Sequence, residues 1–198
     1  MRVQYGARRY QRRGEWIDLL VPFALSQITQ VECRIWREGP APLDLNLVTI
    51  RFAGAGTGPG SFEAEDLLRQ TGEVVGSVGA SGGEAVVARL GIDPPLYLLH
   101  GPYRTVAAGR YLARFHVRAR NLRGAPDAPV ARFEVATDMG RRIFVSRTVT
   151  LGELTGTPDT GIVELGVTIP STCELDLRVR YEGGGDLSVD RVVLTNAP

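Results

Sequence analysis

The chain has 198 residues, of which 43% are hydrophobic and 7% aromatic, enough apolar material for one large or two small folded domains. Its 23 basic residues balance 22 acidic ones, and the net charge of +1 leaves no strong field to attract nucleic acid or an anionic membrane. No apolar run approaches the roughly 20 residues that span a bilayer, and the N-terminus lacks a signal-peptide core, so we expect cytoplasmic synthesis without export or membrane insertion.

The first predicted elements, within residues 1–57, resemble the closing half of a β-domain. A strand over residues 16–23 precedes a strand–turn–strand pattern over residues 34–50, and residues 162–192 repeat this order. We interpret residues 1–57 as a partial copy of the domain formed by residues 58–198; chance similarity of short hairpins is the alternative. Because a half-sandwich exposes an apolar face and unpaired edges, we expect packing on the complete domain, a homo-oligomer or a larger assembly.

The next element is an acidic segment, FEAED, at residues 62–66. Residues i and i+2 of a strand point to the same side, so Glu63 and Glu65 are predicted to share one face of an opening strand. Two like charges repel there unless a cation or hydrogen-bond donors lie between them. With the glycine-rich turn at residues 80–83, the pattern predicts a site for a hard cation, with calcium as the expected ion.

The rest of the chain is predicted to be all-β. Residues 111–120 and 175–181 alternate apolar and polar positions with a period of two, which is typical of half-buried antiparallel strands. Clusters of Gly, Pro, Asp and Asn between such runs predict tight turns, and only residues 64–69 are compatible with a helical turn. The expected fold is an antiparallel β-sandwich. Cys33 and Cys173 lie in strand-like segments and are predicted to be free, buried thiols.

Four motifs carry a resemblance to a known family. FEAED, GASGGEAVV (residues 79–87), AAGRYLARFHVRA (residues 107–119) and LSVDRVVL (residues 187–194) follow in that order. Residues 62–194 thus resemble the carbohydrate-binding modules of families six and thirty-five, which are galactose-binding-like jelly rolls. Residues 98–111 also resemble sugar-binding appendages of bacterial envelope-polysaccharide proteins. The resemblance implies a non-catalytic protein that binds a surface or capsular polysaccharide.

The resemblance also implies a calcium site. In these families an opening acidic pair, carbonyls near the Gly-Gly turn and an Asp on the last strand hold a structural Ca²⁺. Matched by motif, these positions are Glu63, Glu65, Gly83 with its neighbours, and Asp190, an all-oxygen ligand set suited to calcium. The alternative is an exposed acidic edge, with Asp190 paired to a nearby arginine.

A sugar-binding surface needs exposed aromatic rings flanked by polar groups, because sugars present apolar C–H faces and many hydroxyls. Arg104 together with Arg110 is suited to an acidic sugar. The alternative for the tyrosines is that they cover the edge of the core. The predicted ligand-binding residues, all on loops that a jelly roll can bring to one rim, are Tyr97, His100, Tyr103, Arg104, Asn121 and Asp138.

Catalysis is not expected. His100 and His116 are the only histidines, and neither accompanies a nucleophile motif. A glycosidase with two loop carboxylates stays open, since composition alone does not exclude it. A second hypothesis from another class is a structural or oligomerising spike or decoration subunit of a phage-like particle, with or without binding to host glycans. Such a subunit would lie on the surface of a particle or of an envelope-associated assembly.

Overall fold

The computed structural model describes residues 57–155 and 161–197, which form a β-sandwich. The predicted all-β fold is confirmed. Within these residues, no helix is both long enough and apolar enough to cross a membrane. The elements, in chain order, are β1 (Gly60–Glu63), a 3₁₀ turn (Ala64–Asp66), β2 (Glu73–Gly76), β3 (Glu84–Ala88), β4 (Tyr97–Leu99), β5 (Pro102–Val106), β6 (Gly109–Arg120), β7 (Pro129–Thr137), β8 (Arg142–Thr150), α1 (Leu151–Thr155), β9 (Gly161–Ile169), β10 (Cys173–Tyr181) and β11 (Asp186–Asn196).

One sheet has six strands, and β11 is its centre. The order is β2-β3-β11-β6-β9, and β1 pairs with the C-terminal half of β11 on the side where β3 pairs with its N-terminal half. The β11 register against β6 shifts between Val189 and Arg191, so Asp190 is an extra residue in a β-bulge. The opening and closing strands of the described chain are therefore neighbours.

The second sheet has five strands in the order β4-β10-β7-β8, with β5 also paired to β10. Both sheets are antiparallel. β4 and β5 share one side of β10, as β1 and β3 share one side of β11. This arrangement brings the loop between β4 and β5 next to the middle of β10, since Gly101 O accepts a 2.5 Å hydrogen bond from Leu177 N.

The core lies between the two sheets and is built by alternation along the strands. On β6, Tyr111, Ala113, Phe115 and Val117 are all at most 4% exposed, whereas the residues between them face outward. Phe115 meets Phe133 of the opposite sheet edge to face, with ring centroids 5.2 Å apart. Each such side chain contributes roughly 1.5–3 kcal/mol through burial.

Some expectations differ from the structure or lie outside it. The helix α1 was not predicted, because five residues are too few to show a periodic pattern. Cys173 is free as expected but only half-buried, since it is the first residue of β10. The partial copy predicted for residues 1–57, including Cys33, lies outside the described residues apart from Thr57.

Candidate functional site

The acidic pair of the opening segment does not lie on one strand. β1 ends at Glu63, and Glu65 belongs to the following 3₁₀ turn, so the prediction of two carboxylates on one strand face is wrong. The turn nevertheless brings both side chains to the glycine-rich loop. A Cβ atom at Gly82 would collide with Glu65 Oε1 and lie 3.7 Å from Glu63 Oε2. Glycine at this position therefore permits the close approach.

Ser81 links this loop to both ends of the described chain. Its backbone N–H donates to Asp190 Oδ1 at 2.8 Å, and its Oγ lies 2.5 Å from Glu63 Oε2 and 3.0 Å from Asp190 Oδ1. A hydroxyl carries one proton and donates to only one acceptor at a time. Arg191 lies 3.8 Å from Asp190, which is the arginine pairing given above as the alternative. The single Ser81 hydroxyl therefore cannot donate to Glu63 and to Asp190 at the same time.

Glu65 is the least satisfied member of this carboxylate cluster, which we define as Glu63, Glu65 and Asp190. Its Oε2 atom is buried and has no hydrogen-bond partner. Burial raises the pKa of Glu65, and the negative charges of Glu63 and of neighbouring Asp66 and Glu84 raise this pKa further, against one backbone hydrogen bond that lowers it. An unpartnered carboxylate oxygen beside two more carboxylates fits a hard cation.

Side-chain ligands alone do not complete a metal site. Among residues 57–155 and 161–197, no group of three His, Cys, Asp or Glu side chains is arranged to hold a metal ion by itself. Any cation would also need hydroxyl or backbone oxygens. Gly83 O accepts a 2.8 Å hydrogen bond from Ser77 N, which leaves one of its two lone pairs free of that bond.

Three of the predicted ligand-binding residues come together in and after β4. The His100 ring meets Tyr97 at 6.4 Å and Tyr103 at 6.2 Å between centroids, in both cases edge to face. His100 Nδ1 and the Tyr103 hydroxyl are 2.8 Å apart, within hydrogen-bond distance. His100 is only 8% exposed, whereas the two tyrosines are half-buried. His100 therefore positions the tyrosines and is itself too buried to be a surface ligand.

Charged side chains of β7 and β10 lie beneath Tyr97. The guanidinium carbon of Arg178 is 3.8 Å from the centre of the Tyr97 ring, and the Tyr97 hydroxyl donates to Glu134 Oε2 at 3.3 Å. Arg178 also lies 3.4 Å from Glu134 and 3.7 Å from Asp176. Glu134 is 1% exposed and Asp176 2%. This ion network holds Tyr97 in a fixed orientation.

Sequence reasoning missed this network, although one signal for it exists. Asp176, Arg178 and Arg180 alternate with Leu177 and Val179 on β10, which places the charges together on the outward face. Their burial depends on Tyr97 and on strand β7, and the pairing with those elements is non-local.

The electrostatics of this network follow from burial. Burial lowers the pKa of His100 to about 4, with the positive charge of Arg178 acting in the same direction. Burial raises the pKa of Asp176 to about 6, although the 2.6 Å hydrogen bond from Gly101 N and the charge of Arg178 oppose the increase. Burial also raises the pKa of the Tyr103 hydroxyl. At neutral pH the imidazole is therefore uncharged and the Asp176 carboxyl is ionised.

Half-exposed groups surround Tyr97 on the outer surface of the five-stranded sheet. Arg132 lies 3.0 Å from Glu134, and Arg180 lies 3.1 Å from Glu182. The Arg132 and Arg180 side chains are 36% and 34% exposed. We call Tyr97, Arg132, Arg178, Arg180 and Glu182 the Tyr97 face. It combines one aromatic ring with charged groups able to donate and accept hydrogen bonds.

The other predicted ligand-binding residues lie elsewhere or at the border. Arg104 points towards the opposite sheet, where it stacks 5.5 Å from the Phe62 ring and donates to Thr57 O at 3.0 Å. Asn121 donates to Asp186 at 2.5 Å. Asp138 is exposed in the turn between β7 and β8, at a φ of 53°. That turn borders the Tyr97 face, since Arg178 donates to Gly140 O at 3.3 Å. A single rim containing all six residues is not formed.

Comparison with known proteins finds similarity in structure. No family model matches the chain, and no curated protein matches its sequence. Similar solved structures include a carbohydrate-binding module of Cellvibrio mixtus lichenase 5A in complex with cellotriose (13% identity, 70% of this chain and 98% of that chain, TM-score 0.49). A second is the C-terminal family 6 module of a Zobellia galactanivorans laminarinase (18% identity, 70% of this chain and 99% of that chain, TM-score 0.46). A third is a Clostridium stercorarium family 6 module in complex with cellobiose (15% identity, 73% of this chain and 100% of that chain, TM-score 0.45).

The resemblance predicted from the four motifs is thus found again among solved structures. It concerns family 6 carbohydrate-binding modules, and at these identities it concerns the fold alone.

Proposed function

We propose that the protein is a non-catalytic carbohydrate-binding module and that it binds a surface or capsular polysaccharide at the Tyr97 face. The observation that carries the proposal is the half-exposed Tyr97 ring, held between Arg178 at 3.8 Å and Glu134 at 3.3 Å. An oriented ring offers an apolar surface for the C–H face of a sugar, while Arg132 and Glu182 offer hydrogen bonds to its hydroxyls.

Binding without catalysis is favoured by the burial of the nearby carboxylates. Glu134 and Asp176 are 1% and 2% exposed, and both lie within 4 Å of Arg178. A glycosidase needs one carboxyl group to protonate the leaving oxygen and a second to act as base or nucleophile, so both must reach the substrate. These two carboxylates instead support the position of Tyr97.

Replacing Tyr97 by Ala is expected to weaken polysaccharide binding roughly thirtyfold. Truncation of a central aromatic contact costs about 2 kcal/mol or more in binding free energy. Affinity electrophoresis against bacterial capsular and plant polysaccharides measures the change. Ser171→Ala, an exposed position in the loop between β9 and β10, is the control and should bind like the wild type. A folded Tyr97→Ala protein with unchanged retardation would refute the assignment of this face.

We further propose that the carboxylate cluster holds a structural Ca²⁺, with oxygens from residues 81–83 completing the ligand set. The unpartnered Oε2 of Glu65 and the single Ser81 hydroxyl shared by Glu63 and Asp190 support this site. The ion would supply the positive charge that the cluster lacks. It would also link the end of β1 to β11.

Calcium is expected to raise the melting temperature of the wild type by about 5–10 °C when its concentration is 100 times Kd, a stabilisation of about 2.7 kcal/mol. Glu65→Gln should remove the increase. Without calcium this variant should be at least as stable as the wild type, because it loses a buried charge. Glu84→Gln, which removes a nearby exposed carboxylate, should keep the response. A wild-type melting temperature that is the same with calcium and with chelator would rule the site out.

The alternative function, a spike or decoration subunit of a phage-like particle, depends on residues 1–57, of which the structure describes Thr57 alone. It stays a prediction. Analytical ultracentrifugation of the full chain, run beside the polysaccharide assay, separates the two functions. A stable oligomer without glycan affinity would favour assembly, whereas a monomer that binds glycan would favour the module.

A further inference from the structure

The outer surface of the six-stranded sheet carries a group of arginines on two adjacent strands. Alternation with the buried Tyr111, Ala113, Phe115 and Val117 places every second residue of β6 on this surface. Arg191 of β11 lies beside them, since it pairs with His116. Successive outward residues on a strand are about 6.7 Å apart. We define the arginine face as Arg110, Arg114, Arg118 and Arg191.

Two of these arginines already have acidic partners. Arg114 lies 2.6 Å from Glu164 of β9, and Arg191 lies 3.8 Å from Asp190. Within the described part of the chain, no acidic side chain lies within 4.0 Å of the guanidinium of Arg110 or Arg118. The Arg118 Nε atom is moreover buried without a hydrogen-bond partner. Arg118 is thus a partly buried cation whose Nε–H donates no hydrogen bond.

A small hollow opens beside Arg118. Its volume is about 30 Å³, and its lining includes His116, Arg118, Ser188 and Asp190. One water-sized sphere needs roughly 10–15 Å³, so the hollow has room for a small polar group. Of the described residues that line the hollow, Asp190 alone carries a carboxylate, and its Oδ1 atom already accepts a hydrogen bond from Ser81 N at 2.8 Å.

Two further polar side chains of the hollow can donate hydrogen bonds beside Arg118. The His116 imidazole carries at least one ring N–H in either protonation state. The Ser188 hydroxyl, on the strand position paired with Arg118, is a second donor.

We propose that the arginine face binds an acidic polysaccharide, with one carboxylate or sulfate group seated in the hollow between Arg118, His116 and Ser188. Arg110 lies eight residues from Arg118, about 27 Å along β6, and would contact anionic groups further along the same chain. Arginine presents N–H groups in a planar fork that matches carboxylate and sulfate oxygens. This surface belongs to the sheet opposite the Tyr97 face, so the inference does not depend on binding there.

A glycan fits this face better than a nucleic acid does. Single-stranded nucleic acids bind through aromatic side chains on which the bases stack, in addition to basic groups. Among the described outward residues of β6, β9 and β11 near the arginines, His116 is the one aromatic ring. The others are charged, aliphatic or small: Glu164, Ser188, Leu112, Ile162, Gly166, Thr168, Val193 and Thr195. A single imidazole does not provide the succession of stacking rings that a nucleic acid uses, and the protein has a net charge of only +1. Arginine recognises an anionic group through charge and hydrogen bonds, so it does not need the aromatic platform that the C–H face of a neutral sugar needs.

The test measures retardation of the full chain in gels that contain polygalacturonate, dextran sulfate or neutral dextran. The wild type should be retarded by at least one of the two polyanions and not by neutral dextran. Arg118→Gln and the exposed Arg110→Gln should each weaken this binding about tenfold. Arg142→Gln, the control, removes a positive charge from β8 in the other sheet and should change polyanion binding less than twofold.

The outcomes separate the sources of the anion. Retardation by polygalacturonate alone identifies carboxylate groups, retardation by dextran sulfate alone identifies sulfate groups, and either supports the proposal. Three results would overturn it: no retardation of the wild type by either polyanion, equal losses in Arg142→Gln and Arg110→Gln, or tighter binding of a single-stranded oligonucleotide with the same arginine dependence. Arg110→Gln keeps the test decisive if circular dichroism finds Arg118→Gln unfolded, because Arg110 is exposed.

Discussion

Replacing Arg178 by Met is expected to lower the free energy of unfolding by about 3–5 kcal/mol at pH 7.5. The substitution removes the positive charge that lies 3.4 Å from Glu134 and 3.7 Å from Asp176, and it leaves two buried carboxylates without that partner. It also removes the guanidinium from the Tyr97 ring. Urea unfolding followed by far-ultraviolet circular dichroism measures the loss.

A matched substitution distinguishes a buried ion pair from an exposed one. Arg147 pairs with Glu153 at 2.9 Å, but their side chains are 46% and 42% exposed. Arg147→Met should therefore cost no more than about 1 kcal/mol. Equal losses in the two variants would show that Arg178 does not compensate the charges of Glu134 and Asp176.

The second large effect concerns the pH dependence of stability between about pH 4 and 6.5. His100 has a pKa of about 4 in the folded protein and 6.5 as its ordinary value, so on acidification the unfolded chain takes up a proton that the folded protein does not. Stability present above pH 6.5 is lost as the pH falls. Asp176 has a pKa of about 6 against an ordinary 3.8, so here the folded protein takes up the proton first and gains stability as the pH falls. Each of these two pKa differences, over its full pH range, changes the free energy of unfolding by about 3 kcal/mol.

The two groups therefore oppose each other in the wild type, and single substitutions should reveal them. On acidification from pH 6.5 to 4, Asp176→Asn should lose about 2 kcal/mol of unfolding free energy relative to the wild type, because the His100 effect is left alone. His100→Gln should gain about 3 kcal/mol relative to the wild type over the same interval. All other titrating groups are common to the three proteins. Parallel curves of unfolding free energy against pH for all three would contradict the opposed pKa values.

The strands could be predicted because each sheet has one apolar side. The alternation over residues 111–120 and 175–181 falls within β6 (Gly109–Arg120) and β10 (Cys173–Tyr181). In the acidic segment, the helical turn considered for residues 64–69 is found as a 3₁₀ turn over Ala64–Asp66, whereas the expectation that Glu63 and Glu65 share one strand face was wrong. Period-two reasoning assumes that a strand continues, whereas the backbone turns into a 3₁₀ conformation directly after Glu63.

The candidate site was only partly predictable for a different reason. Tyr97, His100 and Tyr103 are near one another in sequence, and their grouping follows from a short loop. What fixes them is distant: Glu134 is 37 residues from Tyr97, and Asp176 is 75 residues from Gly101. Arg104 is adjacent to Tyr103 yet points towards β1, because successive strand residues face opposite sides. Such assignments depend on the register of β10 against β5 and β7.

The bulge in β11 places Asp190 of the carboxylate cluster outside the ladder that builds the six-stranded sheet. Asp190 is the additional residue between Val189 and Arg191, and it has no partner position in the ladder with β6. Its side chain is therefore free to change without disturbing the alternation that buries Val189 and Val192. Substitution of Asp190 would therefore alter the carboxylate cluster and leave the ladder with β6 intact. Deletion of the residue would close the bulge, with Val189 and Val192 still facing the core and Arg191 still facing outward.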